Sequence, residues 1–551
     1  MSRENLLLPG LERWPRGTPI ISLERVSKRF GSLEVIRDLS LEVTAGQTLV
    51  IAGQSGSGKS VLLRLMNGLE RPDEGRVFLF GEDLSQVSGQ RKSWLRKRCS
   101  MVFQNYALID SMTVMENLTF PLREHLKMPR VEMRRLGMAL LELLELPHVA
   151  DSSPSSLSGG MKKRVAFARA LITQPELVLF DEPTTGLDPI MIEFVDALIR
   201  KTQKEFDLSA VIISHDMASN YRLADEMAIL AEGQIVSRGS FGEVRLSPHP
   251  VAQALMKSAV TERFQGGESG TPEVEEIEAG SATVADDQRR FEEAMRAAER
   301  PEIRAGEIAA EVIGLHKSFG EREILKGISL QIPARKITVI IGGSGSGKSV
   351  LVKHLIGLLE PSAGEIFVLG HHLRPGAIQL RRQLQSQIGV LFQGAALFDS
   401  MTIRENIAFP LIEGHRQRPQ EARERVEEIA RELRVDRFLE RSPAEISNGE
   451  RKRVALARAL ITRPKMMIYD EPTTGQDPIM MARVDEMIVE ASERFQITSI
   501  VISHDMLSTF RIADQISMIY HGELVASGSP EMLRASQDQR VRDFVFAGAG
   551  A

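Results

Sequence analysis

The chain has 551 residues, 42% of them hydrophobic and 26% charged, with a formal net charge of −5. That length predicts more than one domain, and the slightly acidic balance argues against a nucleic-acid partner, whose phosphates select basic surfaces. The single cysteine, Cys99, excludes an internal disulfide framework and fits a reducing compartment.

Residues 1–18 form a tail whose only apolar run is Leu6 to Leu8, far short of a secretory signal. No uninterrupted apolar stretch approaches the ~20 residues that span a bilayer. The chain therefore reads as soluble, with any membrane part supplied by another polypeptide. A first unit is expected over residues 19–262, opening with ISLERVSKRF, and a second over 308–548, opening with EVIGLHKSFG. In the first, TLVIAG, LVLFDE and AVIISHD read as buried parallel strands; in the second, ITVIIGG, MMIYDE and SIVISHD do. Longer helical patterns separate these runs. The expected fold class is α/β: in each unit a mostly parallel sheet, a small antiparallel β part and a helical portion. Residues 263–307 join the units. From Phe264 to Glu307 there are twelve acidic and five basic residues, so this stretch reads as an acidic flexible linker, with a short helix expected before Pro301.

The units are copies. Lys59 recurs as Lys348, Gln104 as Gln393, Ser158 as Ser447, Asp181 as Asp470 and His215 as His504, always 289 positions on. A long internal repeat means one structural unit built twice. Cys99 is matched by Ile388, so it reads as a small buried hydrophobe rather than a reactive thiol.

Each copy carries phosphate chemistry. Gly53, Ser55, Gly56, Ser57, Gly58, Lys59 and Ser60 fit G-x-x-x-x-G-K-[ST], as do Gly342, Ser344, Gly345, Ser346, Gly347, Lys348 and Ser349. Each motif follows an apolar strand and precedes a helical pattern, which is the context a phosphate loop needs. Glycines let backbone N–H groups and the helix start face the anion. Lys59 and Lys348 should reach the β- and γ-phosphates of ATP, and Ser60 and Ser349 should hold Mg²⁺. Asp181 and Asp470, at strand ends, suit that metal through its bound water. Glu182 and Glu471, one residue on, are placed to orient and polarise the attacking water. LSGGM (157–161) and ISNGE (446–450) stand just before basic helical runs, where a helix start can bind an anion.

Taken together, the phosphate loops, Gln104 and Gln393, these two segments, the Asp-Glu pairs, TTGLD and TTGQD, and His215 and His504 resemble ABC-type ATPase domains. The resemblance implies that Phe30 and Phe319 stack on adenine, that Gln104 and Gln393 reach the metal and nucleotide, and that His215 and His504 contact the γ-phosphate. It implies head-to-tail pairing, with Lys59 sharing a site with Ser447, Asn448 and Gly449, and Lys348 sharing one with Ser158, Gly159 and Gly160. Asn448 departs from the family's usual glycine. It adds bulk beside the phosphate, so the Lys59 site is expected to hydrolyse more slowly.

Within that family the chain is most similar to ATPases of Mla/Mce-type lipid transporters. FQNYALIDSMTVMENLTFPLREH, FQGAALFDSMTIRENIAFPLIEGH, LSGGM, GLDPI, GQDPI and SQDQRVRDFVF carry this likeness. It implies phospholipid movement between two membranes, with the ATPase at the cytoplasmic face of the inner membrane. An integral permease and a periplasmic Mce-type lipid-binding protein would be the partners. The apolar segments after Gln104 and Gln393 would dock the permease. The fusion of two units in one chain departs from that pattern.

Two other readings stay open. An ATPase never touches its cargo, so a transporter of another substrate is the alternative to the lipid reading. A soluble twin-ABC translation factor would also hold two units, but its linker is typically a long basic arm suited to RNA, and this one is acidic. The basic run Arg91 to Arg98 reads as a solvated helix face, because its counterpart LRRQLQSQ carries far less charge.

Overall fold

The computed structural model describes residues 13–31, 33–103, 106–125, 128–157, 159–256, 308–320, 322–392, 395–414, 418–446 and 448–546. The helix expected before Pro301 lies outside them, as do Gln104, Gln393, Ser158 and Ser447.

Among the described residues the first unit holds ten strands: β1 Pro19–Phe30, β2 Leu33–Thr44, β3 Thr48–Ala52, β4 Glu74–Leu79, β5 Glu82–Asp83, β6 Cys99–Val102, β7 Leu177–Asp181, β8 Ser209–Ile213, β9 Glu226–Ala231 and β10 Gln234–Gly239. They form an antiparallel sheet ordered β2-β1-β4-β5 and a six-stranded sheet ordered β10-β9-β3-β8-β7-β6. The latter is parallel except for β10 on β9. Every residue of β3, β7 and β8 is buried. The reason is visible in β3: Leu49 and Ile51 enter the cluster shared with the antiparallel sheet, while Val50 enters the cluster beneath the helices. A strand covered on both faces reads as a continuous apolar run instead of an alternating one.

The second unit repeats this plan in β11 Ile308–Phe319, β12 Arg322–Pro333, β13 Ile337–Ile341, β14 Ala363–Val368, β15 His371–His372, β16 Ile388–Leu391, β17 Met466–Asp470, β18 Thr498–Ile502, β19 Gln515–Tyr520 and β20 Glu523–Gly528. The orders are β12-β11-β14-β15 and β16-β17-β18-β13-β19-β20. The expected α/β class, with its antiparallel and helical parts, is the observed one. The helical part of each unit packs Val114–His125 and Arg130–Leu143 against Gly159–Leu171, or Ile403–Phe409 and Pro419–Glu432 against Asn448–Leu460. One local difference lies at a proline that both units share. Pro121 sits inside the first of these helices, whereas at the matching Pro410 the α-helix gives way to a wider π-type turn over Pro410–Gly414.

Trp14, from the segment read as a tail, packs edge-on against Phe80 with ring centroids 5.8 Å apart. Cys99 is buried, as expected of a small hydrophobe. The basic run folds its cations onto itself: Arg91 and Arg98 lie 4.1 and 4.6 Å from the Trp94 ring centroid, and both pair with glutamates. Away from the phosphate loops, the C-terminal helix Gln539–Phe546 lies against Pro189–Phe206 of the first unit.

Candidate active site

Each phosphate loop springs from the carboxyl end of a central strand, β3 or β13, and runs into an eight-residue helix, Lys59–Met66 or Lys348–Leu355. The residues capping these helices, Gly58 and Gly347, have φ of 99° and 107°, which L side chains rarely adopt. Gly53 and Gly342 are fixed by a close approach instead. A Cβ there would stand 2.3 Å from Leu230 O and 2.1 Å from Ile519 O. Lys59 Nζ donates to the carbonyls of Gly53 and Gln54 at 2.8 Å, and Lys348 Nζ to those of Gly342 and Gly343 at 2.7 and 2.9 Å. Burial lowers both ammonium pKa values, against the opposing pull of Glu182 and Glu471. The hydroxyls of Ser57 and Ser346 are buried without a hydrogen-bond partner. Orphaned donors beside a buried lysine fit an anion such as a phosphate group.

Asp181 and Glu182 follow at the end of β7, Asp470 and Glu471 at the end of β17. Ser60 Oγ donates to Asp181 Oδ1 at 3.1 Å. Burial pushes the Asp181 and Asp470 carboxyls up, so a neighbouring cation would be needed to favour their charged form. A hydroxyl touching a buried carboxylate is a hard oxygen set of the kind Mg²⁺ takes, completed by phosphate and water oxygens. The residues therefore fit the metal, with Ser60, Asp181, Ser349 and Asp470 as its protein side.

Both glutamates sit in the left-handed region, Glu182 at φ 52° and Glu471 at φ 49°. Such strain, on the order of 1–3 kcal/mol per residue, gathers at functional sites. It is held by Glu182 N donating to Ile213 O at 2.9 Å and Glu471 N to Ile502 O at 3.0 Å. Thr185 and Thr474 donate to the Oε2 atoms at 2.9 and 3.2 Å. His215 and His504 approach the Oε1 atoms, Nδ1 to oxygen 3.5 Å in each unit. Burial alone would push the Glu182 carboxyl up. The hydrogen bond and charge of His215, with Thr185 and Lys59, outweigh it and hold the carboxyl below its ordinary value. Glu471 is held low by the same balance with His504. His215 is raised in return, its pairing with Glu182 overcoming burial.

The two units meet through two aspartates that the sequence reading left without a role. Ser55 N donates to Asp477 Oδ2 at 2.8 Å, and Ser344 N to Asp188 Oδ2 at 2.9 Å. Each aspartate also caps its own helix: Asp188 Oδ1 accepts from Met191 N at 3.1 Å, Asp477 Oδ1 from Ile479 N and Met480 N at 3.1 Å. A methyl group added at Gly186 would touch Thr474 at 3.6 Å, and one at Gly475 would touch Thr185 at 3.6 Å. Each phosphate loop thus faces the Thr-Thr-Gly-x-Asp segment of the other unit. Gly159 and Gly160 open the helix Gly159–Leu171, and Asn448 and Gly449 open Asn448–Leu460. Phe30 and Phe319, ending β1 and β11, are 48% and 51% exposed, which leaves their rings open to a planar base. The signal for Asp188 and Asp477 was in the sequence: an aspartate before proline at the head of an apolar helical pattern is an N-cap, and the twin occurrence marked it.

A family model described as ABC transporter matches residues 36–185 and again 325–474, together more than half of the chain. The chain belongs to the ABC transporter family. Its ABC ATPase domains hydrolyse ATP, and ATP-binding subunits of this family pair and work with membrane permease components. The chain is similar to the glutathione import ATP-binding protein GsiA of Pectobacterium atrosepticum, 30% identical over 523 residues, covering 90% of this chain and 83% of that one. It is similar also to an uncharacterized ABC transporter ATP-binding protein of Methanocaldococcus jannaschii, 27% identical, covering 96% and 98% of the two chains. A solved post-hydrolysis dimer of an ATP-binding cassette bound to ADP and Pi is 29% identical, covers 40% of this ABC protein and 98% of its own chain, and has a TM-score of 0.38. No helix among the described residues is long and apolar enough to cross a membrane.

Proposed function

We propose that this ABC ATPase energises a phospholipid transporter of the Mla/Mce type, with two composite ATP sites formed between its own units, 19–262 and 308–548. The observation that carries the pairing is the reciprocal hydrogen bonding of Ser55 with Asp477 and of Ser344 with Asp188. ATP lies with its base on Phe30 or Phe319 and its phosphates on the loop ending in Ser60 or Ser349. The signature segment of the other unit, Ser447 to Gly449 or Ser158 to Gly160, closes over the γ-phosphate. Lys59 and Lys348 offset the charge that develops there, and bound Mg²⁺ supplies further neutralisation of the phosphate oxygens. Glu182 and Glu471 accept hydrogen bonds from the attacking water, and their lowered pKa keeps them charged for that task. His215 and His504 hold these carboxylates and face the same phosphate. Water attacks in line, ADP leaves with the bridging oxygen's electrons, and no covalent enzyme intermediate is needed.

The lipid reading is supported by the segments after Gln104 and Gln393, which resemble those of Mla/Mce-type ATPases. Near them the exposed Phe103, Phe392 and Phe398 suit a permease contact. Two unlike units would match a permease of two unlike halves, at the cytoplasmic face of the inner membrane, with an Mce-type protein beyond it. The second reading is a solute importer, favoured by the GsiA alignment across both units. Purifying the tagged chain from detergent-solubilised native membranes separates them. A permease carrying an Mce-type partner and phospholipid is expected; a permease with a soluble-solute receptor would replace the lipid reading.

A further inference from the structure

Two residues past the glutamine the backbone is the same in both units. Tyr106 and Ala107 have φ of 59° and 48°, Ala395 and Ala396 of 60° and 49°. In each, an arginine of the signature helix grips the two successive carbonyls. Arg169 donates to Tyr106 O and Ala107 O at 2.9 and 2.7 Å, and Arg458 to Ala395 O and Ala396 O at 3.0 and 2.8 Å. On this shared scaffold the side chains differ in a paired way. Tyr106 is matched by Ala395, and Gly159 by Asn448. The two positions touch: a Cβ at Gly159 would lie 3.4 Å from the Tyr106 hydroxyl oxygen, already at van der Waals contact. Tyr106 also lines one cavity with Lys163, Phe167 and Glu182, so its phenol spans from the signature glycine towards the catalytic wall.

We propose that Tyr106 is a positioning residue for the first unit's signature segment, and that its phenol occupies the space an asparagine at 159 would need, so that tyrosine at the first position and asparagine at the second exclude each other. The inference rests on the head-to-tail reading, in which Gly159 serves the Lys348 site and Asn448 the Lys59 site. An asparagine at 159 would carry its amide into the phenol, whereas truncating Tyr106 clears the way. The two ATP sites are therefore unlike by construction: one signature is backed by an aromatic ring from the permease-facing segment, the other is not.

A double-mutant cycle on the full chain tests this, with ATPase kinetics and thermal melting for Tyr106→Ala, Gly159→Asn and the double variant. Gly159→Asn is expected to lower kcat about tenfold beside Tyr106, and less than about threefold once Tyr106 is alanine, a coupling of the size found between touching residues. The loss should fall more on kcat than on KM for ATP, because the phosphate loop that first takes the nucleotide is unaltered. Loss of the folded state in the single variant, regained in the double, would count the same way. Equal damage by Gly159→Asn in both backgrounds, or none in either, overturns the proposal. That result would leave the wild-type ATPase and its permease association untouched, so it is distinct from failure of the functional reading.

Discussion

Asp477 does two jobs that substitution can separate. One carboxylate oxygen caps the helix Pro478–Phe495, and the other accepts from Ser55 N of the opposite unit at 2.8 Å. Removing a cap costs about 1 kcal/mol, and it should appear as a lower melting temperature. A hydrogen bond to a charged group contributes about 1.5–3 kcal/mol. If that bond forms only as the units close for hydrolysis, its loss slows turnover roughly 10- to 150-fold. The assay is ATP turnover in the Glu471→Gln chain, which leaves the Lys59 site to work. There, Asp477→Ala should give the full loss. Asp477→Asn keeps a single acceptor oxygen, so with that oxygen on the helix cap it should slow turnover about as much as alanine does while lowering the melting temperature less. Asp188→Ala should leave this site within about twofold of its parent and instead slow the Lys348 site, read in the Glu182→Gln chain. If Asp477→Ala lowers the melting temperature and leaves turnover within about twofold, the aspartate is a cap alone and the interface argument is wrong.

The other predictions concern the same sites. Glu471→Gln should reduce total turnover more than Glu182→Gln, because Asn448 burdens the Lys59 site; equal losses in steady-state ATPase would refute that. Replacing both His215 and His504 by alanine removes the groups that hold the glutamates low, leaving burial to push their carboxyls up. The acid limb of the pH–rate profile should then move to higher pH, since the carboxylates protonate sooner; an unmoved limb would deny the pairing a role. Lys348→Ala should abolish transport while the permease still co-purifies, and loss of the complex would assign the lysine to folding.

Much of this was legible in the sequence because the residues that carry it are adjacent along the chain. The phosphate loops, the Asp-Glu pairs and the two histidines each end a strand whose continuous apolar run marks it as doubly covered, and all were found at the expected ends. Phe30 and Phe319 needed the structure to show that they are exposed instead of core. Head-to-tail pairing was expected from the resemblance, but whether it forms within one chain was not legible: a connection of roughly 45 residues has contour enough for several arrangements, and contacts such as Ser55–Asp477 and Ser344–Asp188 join the two units of the one chain. Tyr106 escaped for a related reason. Its importance lies in contact with Gly159, fifty-three positions away, and no local pattern announces a tertiary exchange of volume.

Because both reciprocal contacts form inside one polypeptide, closing the nucleotide sites is a unimolecular event. Each half meets the other at an effective concentration on the order of millimolar, whatever the abundance of the protein. Dilution cannot separate the halves, and a chance meeting of two first halves from different chains has to compete with the tethered partner. The fusion thus works as a sorting device: a permease with distinguishable sides would receive one of each half every time, at a copy number too low to assemble the pair from separate chains.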